Sequence, residues 1–488
     1  MLFNSYLFIL LFLPAALFIF HALRSSGQHR MATAALAFAS LVFYGWWSVQ
    51  ALLLLLFLMA ANYTLVWGLL RSAGGAARLR LALLVTGVAG NLLVLGYFKY
   101  ANFFLENWSA LFGTKVDFVA VVLPLGLSFF TFQKIALLVD AYQGRVRHFD
   151  VLGYILFVSF FPQLIAGPIV HHSEVMPQFA LNGPMRKTDF AQGLMLFAIG
   201  LSKKVLVADT IAQFVGPAFD AAALGQLPSV VQAWTATVAY TLQLYFDFSG
   251  YSDMAVGLAL LFGIRLPPNF NSPYKALNII EFWRQWHMTL SRFLRDYLYV
   301  PLGGNRHGEV RRFANLLVTM VLGGLWHGAA WTFVLWGALH GIFLAINHLW
   351  IALRPHIGLI GPSNFFTRLA SRTVTFVAVV TAWVFFRAAD LNSAVLILRA
   401  MAGYGGHGEA TMDVAYGPEI LVTLLAIVWF APNSLELTGL CSRREPAAPN
   451  RIRFAGAMSP QWAVICGLLL ALCLMSLTQV SEFLYFQF

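Results

Sequence analysis

The sequence predicts an all-α polytopic membrane protein, a bundle of about ten to twelve transmembrane helices with further re-entrant or interfacial helices. Two observations carry this. Apolar residues make up 60% of the 488 positions and charged residues only 10%, whereas a soluble domain is about half apolar and about a quarter charged. Apolar runs close to the roughly 20 residues that a spanning helix needs recur from end to end. No stretch reads as a soluble module, so residues 1–488 are read as a single membrane-embedded domain.

Charge adds orientation. The net charge of +11 comes from 31 Lys and Arg against 20 Asp and Glu. The basic residues gather in short loops, at Arg24 and Arg30, Arg71 to Arg80, Arg145 and Arg147, and Arg443 to Arg453. Such loops mark the cytoplasmic side of a membrane. Topology therefore accounts for the charge, and no nucleic-acid partner is expected. The first run, Leu2 to Phe20, has its basic residues after it, the reverse of a cleaved signal peptide. It reads as a retained helix whose N-terminus lies outside the cytoplasm. With the loop 443–453 inside, the C-terminus is outside too, and the number of crossings is even. Cys441, Cys466 and Cys473 have no ligand spacing and offer no disulfide framework; the last two read as packing residues.

In order, the predicted spans are 2–22, 31–48, 50–70, 81–98, 118–139, 151–170, 190–208, 229–246, 254–266, 313–326, 328–351, 373–388, 418–433 and 461–481. Some are too short to cross alone. Pro124, Pro162 and Pro168 should kink or break their helices, and Gly403 to Gly417 reads as a loop. Ser249-Gly250 and Ser252-Asp253 resemble a helix break followed by a new N-cap. Glu281 to Tyr299, EFWRQWHMTLSRFLRDYLY, is too charged to face lipid and too aromatic for water. Its spacing predicts a helix at the interface, or a re-entrant one, anchored by the aromatic rings.

His327 is the sharpest candidate for chemistry. If the chain is helical from Arg312, fifteen residues at about 1.5 Å each place it roughly 22 Å from that charge, deep in a core about 30 Å thick. An ionisable residue at that depth is a functional candidate. The flanking Gly323, Gly324 and Gly328 let a backbone or a substrate approach. His287, in Trp286-His287, supplies a second proton-transfer or positioning group, since a neutral imidazole can take a proton from a hydroxyl nucleophile. No His, Asp or Glu stands at i+3 or i+4 from either histidine, so no metal site is expected. His340 and His348, on the following helix, and His171 and His172, in a loop, read as structural. Asp247 and Asp253 are carboxylates in apolar surroundings, which is costly. Lys275, Arg284, Arg292, Arg295 and Arg306 form a basic set able to hold phosphates of a nucleotide-bearing donor. No GxGxxG or P-loop sits in a strand–helix setting, so hydride transfer and ATP hydrolysis have no support.

Several longer motifs give a resemblance. Gly96-Tyr97-Phe98-Lys99-Tyr100, Leu123-Pro124-Leu125-Gly126-Leu127-Ser128-Phe129 and Phe161-Pro162-Gln163-Leu164-Ile165-Ala166-Gly167-Pro168 come first. YFDFSGYSDMAVG from Tyr245, Asn269-Phe270 to Pro273-Tyr274, EFWRQWHMTLS from Glu281, LRDYLYVPLGGNR from Leu294 and GGLWHGA from Gly323 follow. Together these span most of the chain, and they resemble the membrane-bound O-acyltransferases, in particular the bacterial alginate O-acetylation branch. The resemblance implies helices around a tunnel, with His327 at its core as the histidine of the WHG motif and His287 as the second family histidine. It implies further candidates along the tunnel or at the donor: Trp326, Asp296, Arg295, Arg284, Asn271, Asp253 and Asp247. It also implies transfer of an acetyl group from cytoplasmic acetyl-CoA, with no permanently bound cofactor, to an extracellular polysaccharide such as alginate or cellulose. Membrane lipid is expected around the chain, and a periplasmic acetyltransferase partner is expected to finish the transfer in a bacterial inner membrane. Thr289 and Phe293 stand where Ser and Trp are usual in related chains, which bears on substrate detail. Acyl transfer to a cell-wall polymer or a lipid, and transport of a donor or glycan without chemistry, are the alternative readings.

Overall fold

The computed structural model describes all residues except 73, 76, 115–121, 180–185, 357–363, 407–416, 441–458, 478–482 and 485–488. Its secondary structure is helical, with no strand among the described residues. The main helices are α1 Leu13–Ser25, α2 His29–Gly45, α3 Val49–Arg71, α4 Ala77–Leu95, α5 Leu127–Tyr142, α6 Val151–Ser159, α7 Lys187–Ser202 and α8 Val230–Leu261. After these come α9 Ile279–Gln285, α10 Met288–Leu294, α11 Glu309–His327, α12 Trp331–Leu353, α13 Phe365–Arg387, α14 Leu391–Arg399, α15 Gly417–Phe430 and α16 Pro460–Ser476.

Polar caps start many of them. Ser48, Asp150, Asn278, Asn364, Asp390 and Ser459 each accept a hydrogen bond from a backbone N–H in the first turn of the helix they open, where four such groups lack intrahelical partners. Among the described residues, five helices are long and apolar enough to cross a membrane: Leu7–Ser25, Val49–Arg71, Ala77–Phe112, α12 and α13. Their apolar side chains also point outward. Phe18 is 75% exposed and Leu93 73%, which only a lipid solvent tolerates in such number. The protein is a multi-pass integral membrane protein.

Two compact units divide the chain. The first is Met1–Ser202, Tyr251–Pro268 and Ser434–Phe486; the second is Lys203–Gly250 with Asn269–Asn433. In the first, the buried amides of Asn91 and Asn62 pair α4 with α3 at 3.2 Å, and the Tyr154 hydroxyl donates to the Met59 carbonyl at 3.0 Å. The second unit holds α9 to α15 and is where both candidate histidines lie.

Four expectations change here. The predicted break near Ser249-Gly250 does not exist: α8 runs through it for 32 residues. Its polar side chains turn sideways instead of capping. Lys203 donates to the Ser249 hydroxyl at 3.4 Å and Lys204 to Asp247 at 2.7 Å. Conversely, the predicted single helix over 281–299 is broken. It becomes α9 and α10, each of seven residues, and a π-helical turn over Arg295–Tyr299. The predicted span 151–170 is α6 plus a single turn, Phe161–Leu164, because Phe160 is non-helical and Pro162 opens the turn. Of the predicted span 118–139, residues 118–121 lie outside the described residues, 122–126 are not helical, and the helix opens at Leu127 after Gly126 in a left-handed conformation (φ 75°). The basic loop 443–453, Cys441 and most of the Gly403–Gly417 stretch lie outside the described residues.

Candidate active site

His327 owes its place to a helical hairpin. Helix α11 follows Gly308 and carries Glu309 in its first turn, where Arg312 pairs with it at 2.8 Å. It stays helical from there to His327 and stops because Gly328 is extended (φ −156°, ψ 148°). The depth read from Arg312 thus rests on an unbroken helix. After Ala329 and the extended Ala330, α12 begins at Trp331. The two helices meet backbone to backbone. A Cβ on Gly324 would collide with the Phe333 carbonyl oxygen, and one on Gly337 with that of Met320. Gly337 and Gly341 form a small-xxx-small face, the pattern that brings membrane helices close. This seam sets Trp336 of α12 against His327, ring centroids 5.1 Å apart.

His287 is placed by a different device. Helix α9 opens with Asn278 accepting from the Glu281 N–H at 3.0 Å, while the Glu281 carboxylate accepts from the Leu277 N–H at 2.9 Å. It ends at Gln285, and Trp286 is extended. His287 then takes a left-handed conformation (φ 41°, ψ 53°) before α10 starts. A non-glycine residue rarely adopts that region. The loop 269–272 holds it there. Asn271 N–H donates to the Gln285 carbonyl and Met288 N–H to the Asn269 carbonyl, both at 2.9 Å. The Asn269 side-chain oxygen meets His287 Nδ1 at 3.1 Å, and it accepts from the Thr289 hydroxyl at 2.8 Å and the Thr289 N–H at 3.3 Å. Strain that its surroundings over-determine in this way is characteristic of functional sites.

The two devices converge. The His287 and His327 ring centroids lie 6.4 Å apart, inclined at 62°. Trp326 lies 4.9 Å from His327 and 6.3 Å from His287. Phe386 of α13 packs on His327 at 5.3 Å and Phe248 of α8 on His287 at 4.8 Å. His287 is fully buried and His327 nearly so. Two imidazoles walled by aromatic rings make a dry compartment, in which charge developing on a reacting atom interacts strongly with nearby dipoles.

Of the other predicted residues, Trp326 joins this pair, and the rest have separate places. Asp247 is committed to Lys204, which also holds Asp209 at 2.8 Å. Asp253 is buried in the first unit. Arg295 and Asp296 bind each other through two contacts, at 2.7 and 3.2 Å, near the surface, and Arg284 is exposed. Asn271 belongs to the clamp, its side chain accepting from Asn433 at 2.9 Å. Lys275 donates to the Ala431 carbonyl at 2.6 Å. His340 is buried and accepts from Trp283 Nε1–H at 3.2 Å. His172 pairs with Asp140 at 3.2 Å in the first unit. Among the described residues no group of three or more His, Cys, Asp or Glu could hold a metal.

Sequence reasoning missed the roles of Asn269, the Lys203-Lys204 pair, Trp283, Trp336 and Phe386. Some had signals. Phe333, Trp336 and His340 recur at helical spacing on one face of α12, and Lys204 is a buried-span lysine in need of a carboxylate. Asn269 stood in the Asn269-Phe270 motif, but nothing there pointed to partners that lie 18 and 20 residues away and meet it only across a loop.

The second unit of this membrane protein thus holds two buried histidines in one aromatic compartment. Known sequences give the class its name. The profile of the MBOAT, membrane-bound O-acyltransferase family, matches residues 86–386, a stretch that contains both histidines. The chain belongs to this family and is a membrane-bound acyltransferase. It is 43% identical to the peptidoglycan O-acetyltransferase of Helicobacter pylori, over 83% of this chain and 80% of that protein. It is 38% identical to a protein of Pseudomonas putida named "Probable alginate O-acetylase AlgI", over the whole of both chains. A protein of the same name from Pseudomonas aeruginosa is 42% identical over 83% of this chain and 75% of its own.

Proposed function

We propose that the protein moves an acetyl group from cytoplasmic acetyl-CoA to a hydroxyl destined for an extracellular polysaccharide, with His327 and His287 as the catalytic residues. The observation that carries this reading is the 6.4 Å separation of the two rings inside an aromatic wall. Such a gap admits a reacting acyl carbon with the nucleophile's oxygen within hydrogen-bond reach of one ring, about 2.6–3.2 Å, and the acyl oxygen within reach of the other. One imidazole then takes the nucleophile's proton while the other donates to the developing oxyanion. A tunnel through the bundle, formed by about ten to twelve spanning helices, would hold thioester and hydroxyl together, which removes most of the entropic barrier to their meeting. In this reading the chain sits in a bacterial inner membrane with both termini outside, and a periplasmic acetyltransferase partner completes delivery to the polymer.

Relatives named for alginate O-acetylation favour an exopolysaccharide acceptor such as alginate; cellulose shares the same hydroxyl chemistry. The relative named for peptidoglycan supports a second acceptor, a cell-wall polymer. Wild type and His327→Ala, expressed to equal levels in the native host, distinguish these. O-acetyl groups on secreted polymer and on isolated cell wall are measured by NMR. The polymer that loses acetylation in the variant is the acceptor. Unchanged acetylation of both overturns the proposal.

A further inference from the structure

We infer that Asn269 is a positioning residue that fixes the tautomer of His287, so that His287 Nε2 is the atom that receives the nucleophile's proton. The inference rests on the acyl-transfer reading above and assigns within it a role that the histidine pair alone leaves open.

Three hydrogen bonds meet at one atom, the Asn269 side-chain oxygen. The backbone N–H of Thr289 can only donate, so the Asn269 side-chain atom it meets at 3.3 Å is the carbonyl oxygen. The Thr289 hydroxyl donates to the same oxygen at 2.8 Å. That oxygen faces His287 Nδ1 at 3.1 Å, and an oxygen accepts, so Nδ1 carries a proton. In a neutral imidazole the lone pair is then on Nε2. The backbone fixes the ring's origin as well. Met288 N–H donates to the Asn269 carbonyl, and the left-handed His287 lies between these two anchors. Asn269 therefore grips residues 287, 288 and 289 at once, the first and last through its side-chain oxygen and Met288 through its backbone carbonyl.

The consequence for the reaction is specific. The acceptor hydroxyl's proton moves to His287 Nε2 as its oxygen bonds to the acyl carbon. The carbon–sulfur bond of the thioester breaks, and the thiolate leaves with the electron pair. It takes that proton back from Nε2 and departs as the thiol. His327 is left to donate to the oxyanion. The Nδ1–H bond to Asn269 persists throughout and steadies the imidazolium that forms between the two transfers.

The test combines a spectrum with kinetics. Full-length protein in lipid is labelled with nitrogen-15 histidine, and the His287 signals are assigned by their loss in His287→Gln. Wild type is expected to show Nδ1 protonated and Nε2 bare; the opposite tautomer overturns the inference. Asn269→Leu keeps the volume and removes the acceptor. It is expected to lower kcat by about 10–100-fold, with KM for acetyl-CoA within about threefold. Asn269→Asp retains an oxygen facing Nδ1 and is expected to restore most of kcat. Normal kcat in a folded Asn269→Leu protein, or no recovery in Asn269→Asp, also overturns it. If Asn269→Leu fails to fold, the wild-type spectrum and Asn269→Asp still decide. Absence of acetyl transfer by wild type removes the proposed reaction instead, and the spectrum still tests the tautomer.

Discussion

His287 and His327 face each other at 6.4 Å although one ends a short turn strained into the left-handed region and the other ends a 19-residue helix. Neither segment could be shifted along its own axis without separating the rings.

Two groups that act in one transition state form a unit, and their losses do not multiply. His327→Ala and His287→Ala are each expected to lower acetyl transfer from labelled acetyl-CoA by about 10²–10⁴-fold. The double variant should be little worse than the poorer single one. Multiplied losses would assign the rings to independent steps.

Lys204 and Asp247 are both almost fully buried. Lys204→Met leaves the carboxylate without its cation, and removing one partner of a buried pair costs about 3–5 kcal/mol. Asp209, also bound to Lys204 but partly exposed, can turn toward water. Adding Asp247→Leu should recover most of the lost thermal stability in detergent. A double variant no more stable than Lys204→Met would show that the shape of the pair matters more than its charge.

The glycine seam predicts a contrast. Gly337→Val places a Cβ against the Met320 carbonyl and should abolish folded yield by size-exclusion chromatography. Gly90→Ala, in α4, meets nothing within 4 Å and should raise stability by up to about 1 kcal/mol through helix propensity. Equal tolerance of both would contradict the close packing of α11 on α12.

His340 tests the line between scaffold and catalysis. It packs on Trp336 at 4.9 Å, the ring that also touches His327. His340→Phe keeps an aromatic ring but leaves Trp283 Nε1–H without its acceptor, a loss of about 1–3 kcal/mol in stability, with kcat within about threefold. A fall in kcat as deep as that of His327→Ala would place His340 in the chemistry.

Much of this was legible in the chain. The chain is helical from Arg312 to His327, as the apolar run implied, and it breaks at the glycines beside that histidine. The breaks were harder, because local signals mislead inside a membrane. Ser249-Gly250 has the composition of a helix end, yet α8 continues there, since Lys203 and Lys204 engage its polar side chains from the side. Trp286-His287 has the composition of a helix interior, yet the chain breaks there, since Asn269 and Asn271 offer its backbone and ring better partners. In both places a contact distant in sequence outweighs the local preference, and periodicity registers only the latter.

The hydrogen bond from Trp283 to His340 joins residues 57 positions apart, which orders events during synthesis. Helices α9 and α10, at seven residues each, are about 10 Å long, and with Arg284 and Arg292 among their residues they give insertion machinery nothing to retain in lipid. Trp283 has no dock until α12 has left the ribosome. His287 therefore reaches the ribosome's exit well before the wall that will enclose it, and a nascent chain arrested short of α12 holds both histidines but not the Trp336 ring that packs on His327. The compartment around the two rings closes late in translation, as a property of the completed hairpin.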